Sequence, residues 1–238
     1  MNRIKHLIKK PYFVITIVYV LAHGFLLILN GCWWDDWTFM DHNLIYINQV
    51  AFQSGRPEWN ILIPLCWSLP NNGRILIFVL YYFISIFVYN ILNDSTFFNK
   101  KECLTITLLF TVLPVNESRL LISNFPYSVG LFLFYLTFML FIKWNTKTKN
   151  IYVRALLVFL FFCSFILTSL LAYYYVIFIY LIAYDMLSNK NIGIKQFLIT
   201  IKRLIIKYFN FFDLPFILLL TNKLHQTANT SKKQTLLL

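Results

Sequence analysis

Two adjacent acids, Asp35 and Asp36, sit among tryptophans in the stretch Gly31-Cys-Trp-Trp-Asp-Asp-Trp37. Carboxylates held close together resist ionising together, which suits one of them to take a proton from a hydroxyl as a general base. The same pair is equally suited to holding a divalent cation through hard oxygen ligands. Arg56 and Arg119 add guanidinium groups, whose planar fork matches a phosphate bidentately. Glu117, two residues before Arg119, either joins that chemistry or caps and solvates a helix end. Trp34 and Trp37 either stack on a sugar face or anchor the segment at a lipid interface. His42 reads as a loop histidine rather than a base. A proton acceptor, phosphate-binding arginines and aromatic rings together suit transfer from a phosphate ester.

The elements that must position these groups are apolar helices. The chain is 59% hydrophobic and only 13% charged, against about 25% charged in ordinary soluble domains. Apolar runs recur along its length without the short alternation of barrel strands, so the class is all-α, a multi-spanning membrane bundle. Spans are expected at about 11–29, 75–92, 103–115, 127–142, 155–170 and 172–187, which make one transmembrane unit over 1–187. The last two replace a single apolar run of 155–187, because one helix of that length, about 50 Å, overshoots a core of about 30 Å. In the first outer loop, Leu44, Ile45, Ile47, Val50 and Ala51 pattern a short interfacial helix. Residues 188–220 give a basic interfacial helix and then either a seventh span or an interfacial segment, and 221–238 a disordered tail. Six or seven spans result. Pro11 opens the first of them as an uncleaved anchor rather than a signal peptide.

Charge orients the bundle. With the N-terminus inside, fifteen basic residues fall on inner segments, from Arg3 to Lys207, and only Arg56, Arg74 and Arg119 fall outside. That asymmetry is the positive-inside pattern of a membrane protein with a cytoplasmic N-terminus. It also explains the net charge of +12 without a nucleic-acid partner, for which no recognition motif is present. Asp35, Asp36, Asp41, Glu58 and Glu117 all fall outside. His23 and Asn30, in or beside the first span, are expected to face the bundle interior. The four cysteines, at 32, 66, 103 and 163, lack the spacing of a zinc site, although Cys32 and Cys66 share the outer face.

At these residues the chain resembles a family. The order is a first span, Trp34-Asp-Asp-Trp37, Gly55-Arg56-Pro57, then Pro114 with Asn116-Glu117, then Asn124-Phe-Pro-Tyr127 opening the fourth span. It resembles the N-terminal half of bacterial GT-C glycosyltransferases, the integral-membrane enzymes that include the O-antigen glucosyltransferases of lipopolysaccharide. The resemblance covers about 1–187 and implies a hexosyltransferase using a polyprenyl-phosphate sugar donor and a glycan or lipid-linked acceptor outside the cell. It implies catalytic roles for Asp35 and Asp36, a place for Arg56 in the Gly-Arg-Pro element, and a lesser role for Glu117. No organic cofactor is implied, and a divalent cation is left open by the acid pair. Family members continue for several further spans, so the resemblance implies a truncated enzyme, a degenerate copy or a subunit completed by a partner. The alternative is a non-catalytic membrane protein, such as a flippase component or an assembly factor for surface polysaccharide.

Overall fold

A computed structural model describes residues 10–28, 45, 46, 49, 62, 64, 70–95, 97–113, 124–145, 151–164, 172–189 and 193–208. Over these residues the chain is all-helical, with seven α-helices and no strand. We label them α1 (Pro11–His23), α2 (Pro70–Asp94), α3 (Lys100–Val112), α4 (Phe125–Asn145), α5 (Ile151–Ser164), α6 (Ala172–Asn189) and α7 (Ile194–Lys207). A 3-10 turn, Gly24–Leu27, extends α1.

Local chemistry sets the helix ends. Pro11 occupies the first turn of α1, where its missing N–H has no intrahelical partner to lose. Pro70 through Gly73, expected to close the preceding loop, instead form the first turn of α2. The reason is the same: a proline at a helix start is preorganised in φ, so a Pro-Asn-Asn-Gly run is not necessarily a turn. Lys100, Lys101 and Glu102, expected in a polar turn, also belong to a helix. Asn99 caps α3 by accepting from the Lys101 and Glu102 backbone N–H groups at 3.0 and 3.1 Å. Glu102 returns a bond from the Asn99 N–H at 2.9 Å, completing a reciprocal capping box. At its other end α3 stops at Val112, because Leu113 (φ −58°, ψ 125°) must be extended before Pro114.

Two helical segments, Gly73–Asp94 and Phe125–Trp144, are long and apolar enough to cross a membrane. At 22 and 20 residues they measure about 33 and 30 Å, matching a hydrocarbon core. Pro11–His23, Ile151–Ser164 and Val176–Leu187 are apolar but shorter. Of the interfacial helix expected in the first loop, Ile45, Tyr46 and Gln49 are described, and all three are helical and exposed.

The helices pack with alternating direction. α1 runs against α2: Tyr12 Oη donates to Asn90 Oδ1 at 2.7 Å near one end, and Tyr19 Oη to the Phe78 carbonyl at 2.6 Å toward the other. Between them Thr16 Oγ1 meets Tyr82 Oη at 2.9 Å. α3 lies parallel to α1, with Cys103 beside Ile15 and Tyr89 and Thr111 beside His23. α2 and α4 form the most extensive contact and run parallel, Ile77 and Tyr81 clustering with Phe125 and Phe87 meeting Phe132. α5 and α6 then pack on α4 through Phe161, Ile177 and Leu181 around Phe134 and Phe138.

The apolar core also encloses small hydroxyl side chains. The interior holds Ser85, Thr107, Thr111, Ser128 and Thr137, all buried. Each hydroxyl donates to the carbonyl four residues back, as in Thr107 to Cys103 at 2.7 Å and Thr137 to Leu133 at 2.6 Å. Other large apolar side chains face outward. Ile75, Val79 and Phe83 form an exposed row on α2, and Leu21, Leu109, Phe159 and Ile179 are more than half exposed on α1, α3, α5 and α6.

Candidate functional site

The chemistry expected at Asp35, Asp36, Arg56, Glu117, Arg119, Trp34 and Trp37 falls on two segments, 29–69 and 114–123, that lie outside the described residues apart from five helical positions, 45, 46, 49, 62 and 64. What the structure defines is the platform from which those segments leave and to which they return. Four helix ends bound them: the end of α1 with its 3-10 turn, the start of α2, the end of α3 and the start of α4. All four meet at one end of the bundle.

The contacts that bring them together are specific. His23, in the last turn of α1, places Nε2 2.7 Å from the carbonyl oxygen of Thr111 in the last turn of α3. Its ring also lies 5.0 Å from that of Tyr19. Tyr19 is 1% exposed and joins Ile77 and Tyr81 of α2 and Phe125 of α4 in one cluster. Its ring sits 4.8 Å from Phe78. Tyr19 therefore touches α2 and shares a cluster with Phe125 of α4, and His23 ties the two helices that leave the bundle. The expectation that His23 faces the interior agrees with this contact, whereas Asn30 lies outside the described residues.

The motif Asn124-Phe-Pro-Tyr127 supplies the return of the second segment. Ser128 donates to the Asn124 carbonyl at 3.2 Å, while Phe125 and Pro126 are buried. Pro126 again sits in a first helical turn, where it costs no hydrogen bond. The motif thus acts as an apolar anchor that seats α4 beside Tyr19 and Ile77.

Arg74 is the residue whose role the sequence reading missed. It was counted with the outer-loop arginines, yet it lies in the second turn of α2 and is 7% exposed. A guanidinium near a helix N-terminus opposes the helix dipole and its burial is costly, so it belongs to a structured polar environment. The signal in the sequence was its position: directly after Gly73 and directly before an uninterrupted apolar run. Among the described residues it is the one lysine or arginine at this end of the bundle.

Among the described residues no three His, Cys, Asp or Glu side chains are grouped to hold a metal ion. Cys103 is a buried free thiol and Cys163 a half-buried one, while Cys32 and Cys66 lie outside the described residues. The chain matches no family model, no curated protein and no solved structure.

Proposed function

We propose that this chain is an integral membrane protein of six spans, α1 to α6, with the acid-bearing segments outside, and that it carries the acceptor-activating half of a GT-C-type hexosyltransferase. The observation that supports this reading best is the convergence of the four helix ends around Tyr19 and His23. Segments 29–69 and 114–123 start and finish on one platform, so Asp35, Asp36, Arg56, Glu117 and Arg119 are tethered to the same face. The charge asymmetry favours that face lying outside the cell with the N-terminus in the cytoplasm.

In this mechanism Asp35 or Asp36 takes the proton of an acceptor hydroxyl. The freed oxygen attacks the anomeric carbon of a polyprenyl-phosphate sugar and forms the new glycosidic bond. The bond from that carbon to the phosphate oxygen breaks, and the polyprenyl phosphate leaves with the electron pair. Arg56, with Arg119 as the second guanidinium, neutralises the departing phosphate. The exposed apolar row on α2, Ile75, Val79 and Phe83, supplies a surface beside which a polyprenyl chain can lie.

Asp35→Asn and Asp36→Asn, made separately in cells with the protein's insertion verified, test the reading. Loss of the general base should cut surface-glycan modification by about 10²-fold or more for one of them. Unchanged modification by both variants would leave a non-catalytic role for the acid pair.

A further inference from the structure

The opposite end of the bundle carries a feature that sugar transfer does not use. α7 packs there, with Leu204 and Tyr208 buried against Phe141, Ile142 and Ile91, near the ends of α4 and α2. Its roll is set by a clasp: Asp185 Oδ2, in α6, accepts from Thr200 Oγ1 at 2.8 Å and from Arg203 Nη2. Thr200 is fully buried, so this carboxylate locks the helix about its axis.

Locked this way, α7 presents three parallel rows of seven-residue period outward. Leu198 and Ile205 form one, Lys195 and Lys202 the next, and Ile199 and Ile206 the third; all six side chains are exposed. A lysine row bracketed by apolar rows cannot satisfy water and hydrocarbon on separate faces. It suits an interface, where the apolar side chains enter the acyl boundary and the lysine stems snorkel to the headgroup phosphates. Lys195 and Lys202 stand about 10 Å apart along the axis, room for one phospholipid headgroup each.

The charge balance selects the partner. α7 carries Lys195, Lys202, Arg203 and Lys207 and no acid, and Asp185, the acid packed against it, is already engaged by Arg203 and Thr200. Lys10, Lys100, Lys101 and Lys143 are exposed at the same end, where, among the described residues, Glu102 is engaged in the α3 cap and Asp94 is the remaining acid. We propose that α7 is an anionic-phospholipid docking helix, with Lys195 and Lys202 holding headgroup phosphates of the cytoplasmic leaflet. This inference rests on the membrane reading of the chain and not on glycosyl transfer.

The test uses the full chain in proteoliposomes of phosphatidylcholine doped with a photoactivatable phosphatidylglycerol or, in parallel, a photoactivatable phosphatidylcholine. Cross-links to phosphatidylglycerol should map to 194–207 and exceed those to phosphatidylcholine there. At about fivefold per lysine near an anionic surface, Lys195→Gln with Lys202→Gln should reduce the α7 cross-link roughly 25-fold. Cross-links to α2 and α4 should stay unchanged and serve as the folding control. Equal cross-linking by both lipids, or no loss in the double variant, overturns the proposal. So does recovery of α7 cross-linked to α7 of a second copy, which would make this face a self-association surface. Asp35→Asn should leave every one of these readouts unchanged, so the docking and transfer readings fail independently.

Discussion

The two ends of this bundle are built in opposite ways. At one end, four helices stop on a close-packed aromatic platform, Tyr19, His23, Phe78 and Phe125, from which the acid-bearing segments depart. At the other, the helix ends are finished with polar caps and clasps: the Asn99 and Glu102 box on α3, and the Asp185 junction between α6 and α7. The first end holds one buried arginine, and the second carries exposed lysines on α3, α4 and α7. The helix ends at the first are fixed by packed rings, where small shifts would open voids. At the second, the backbone groups of the helix ends are satisfied and charge is turned outward.

Topology gives the sharpest way to break this contrast. Single cysteines at Ser54 and Ser118 should react with a membrane-impermeant maleimide added outside intact cells, while one at Thr148 should react only after permeabilisation. The expected difference is all-or-none, and a cysteine at Thr148 labelled from outside would invert the two ends. Asp185→Ala comes next. It strips the buried Thr200 hydroxyl of its acceptor and frees Arg203, at a cost of about 1–3 kcal/mol. The change should appear as faster proteolysis within α7 while α1 to α4 stay protected. If α1 to α4 loosen equally, the two ends are not independent.

Smaller effects refine the comparison. Asn99→Ala removes the cap of α3 and should cost about 1 kcal/mol. Cys103, four residues on and fully buried, is the local reporter, and its modification rate should rise about fivefold. His23→Phe removes the bond to the Thr111 carbonyl while keeping a ring beside Tyr19, for a loss of about 0.5–1 kcal/mol. That loss should register as reduced thermal stability in detergent with Cys103 reactivity unchanged. A simultaneous rise at Cys103 would show that α3 transmits strain from one end to the other.

Much of the helical layout was legible in the chain. Apolar run length and flanking charge were enough to place α2 and α4, because a membrane-spanning helix must be long and apolar whatever it packs against. The amphipathic pattern of α7 was visible for the same kind of reason, its lysines recurring at helical spacing. The helix starts were less legible. Pro70-Asn-Asn-Gly73 and Asn99-Lys-Lys-Glu102 have loop composition, and their helicity depends on which backbone N–H groups are left to cap. Asp185 was lost inside a stretch read as uniformly apolar, since its partners Thr200 and Arg203 are 15 and 18 residues away. Of the candidate site, residue types and order were readable, and their side-chain geometry falls outside the described residues.

The sequence by itself determined the all-helical class, the apolar character of the spans and the separation of acids from bases along the chain. These are properties of composition and period, which each segment carries alone. Only the tertiary structure decided that the helix ends flanking the acid-bearing segments share one platform, that Arg74 is buried beside them, and which face α7 turns outward. Those depend on contacts between residues far apart in sequence, such as Tyr19 with Phe78 and Asp185 with Arg203. Packing direction and helix roll are decided by pairs, and no single segment contains both members.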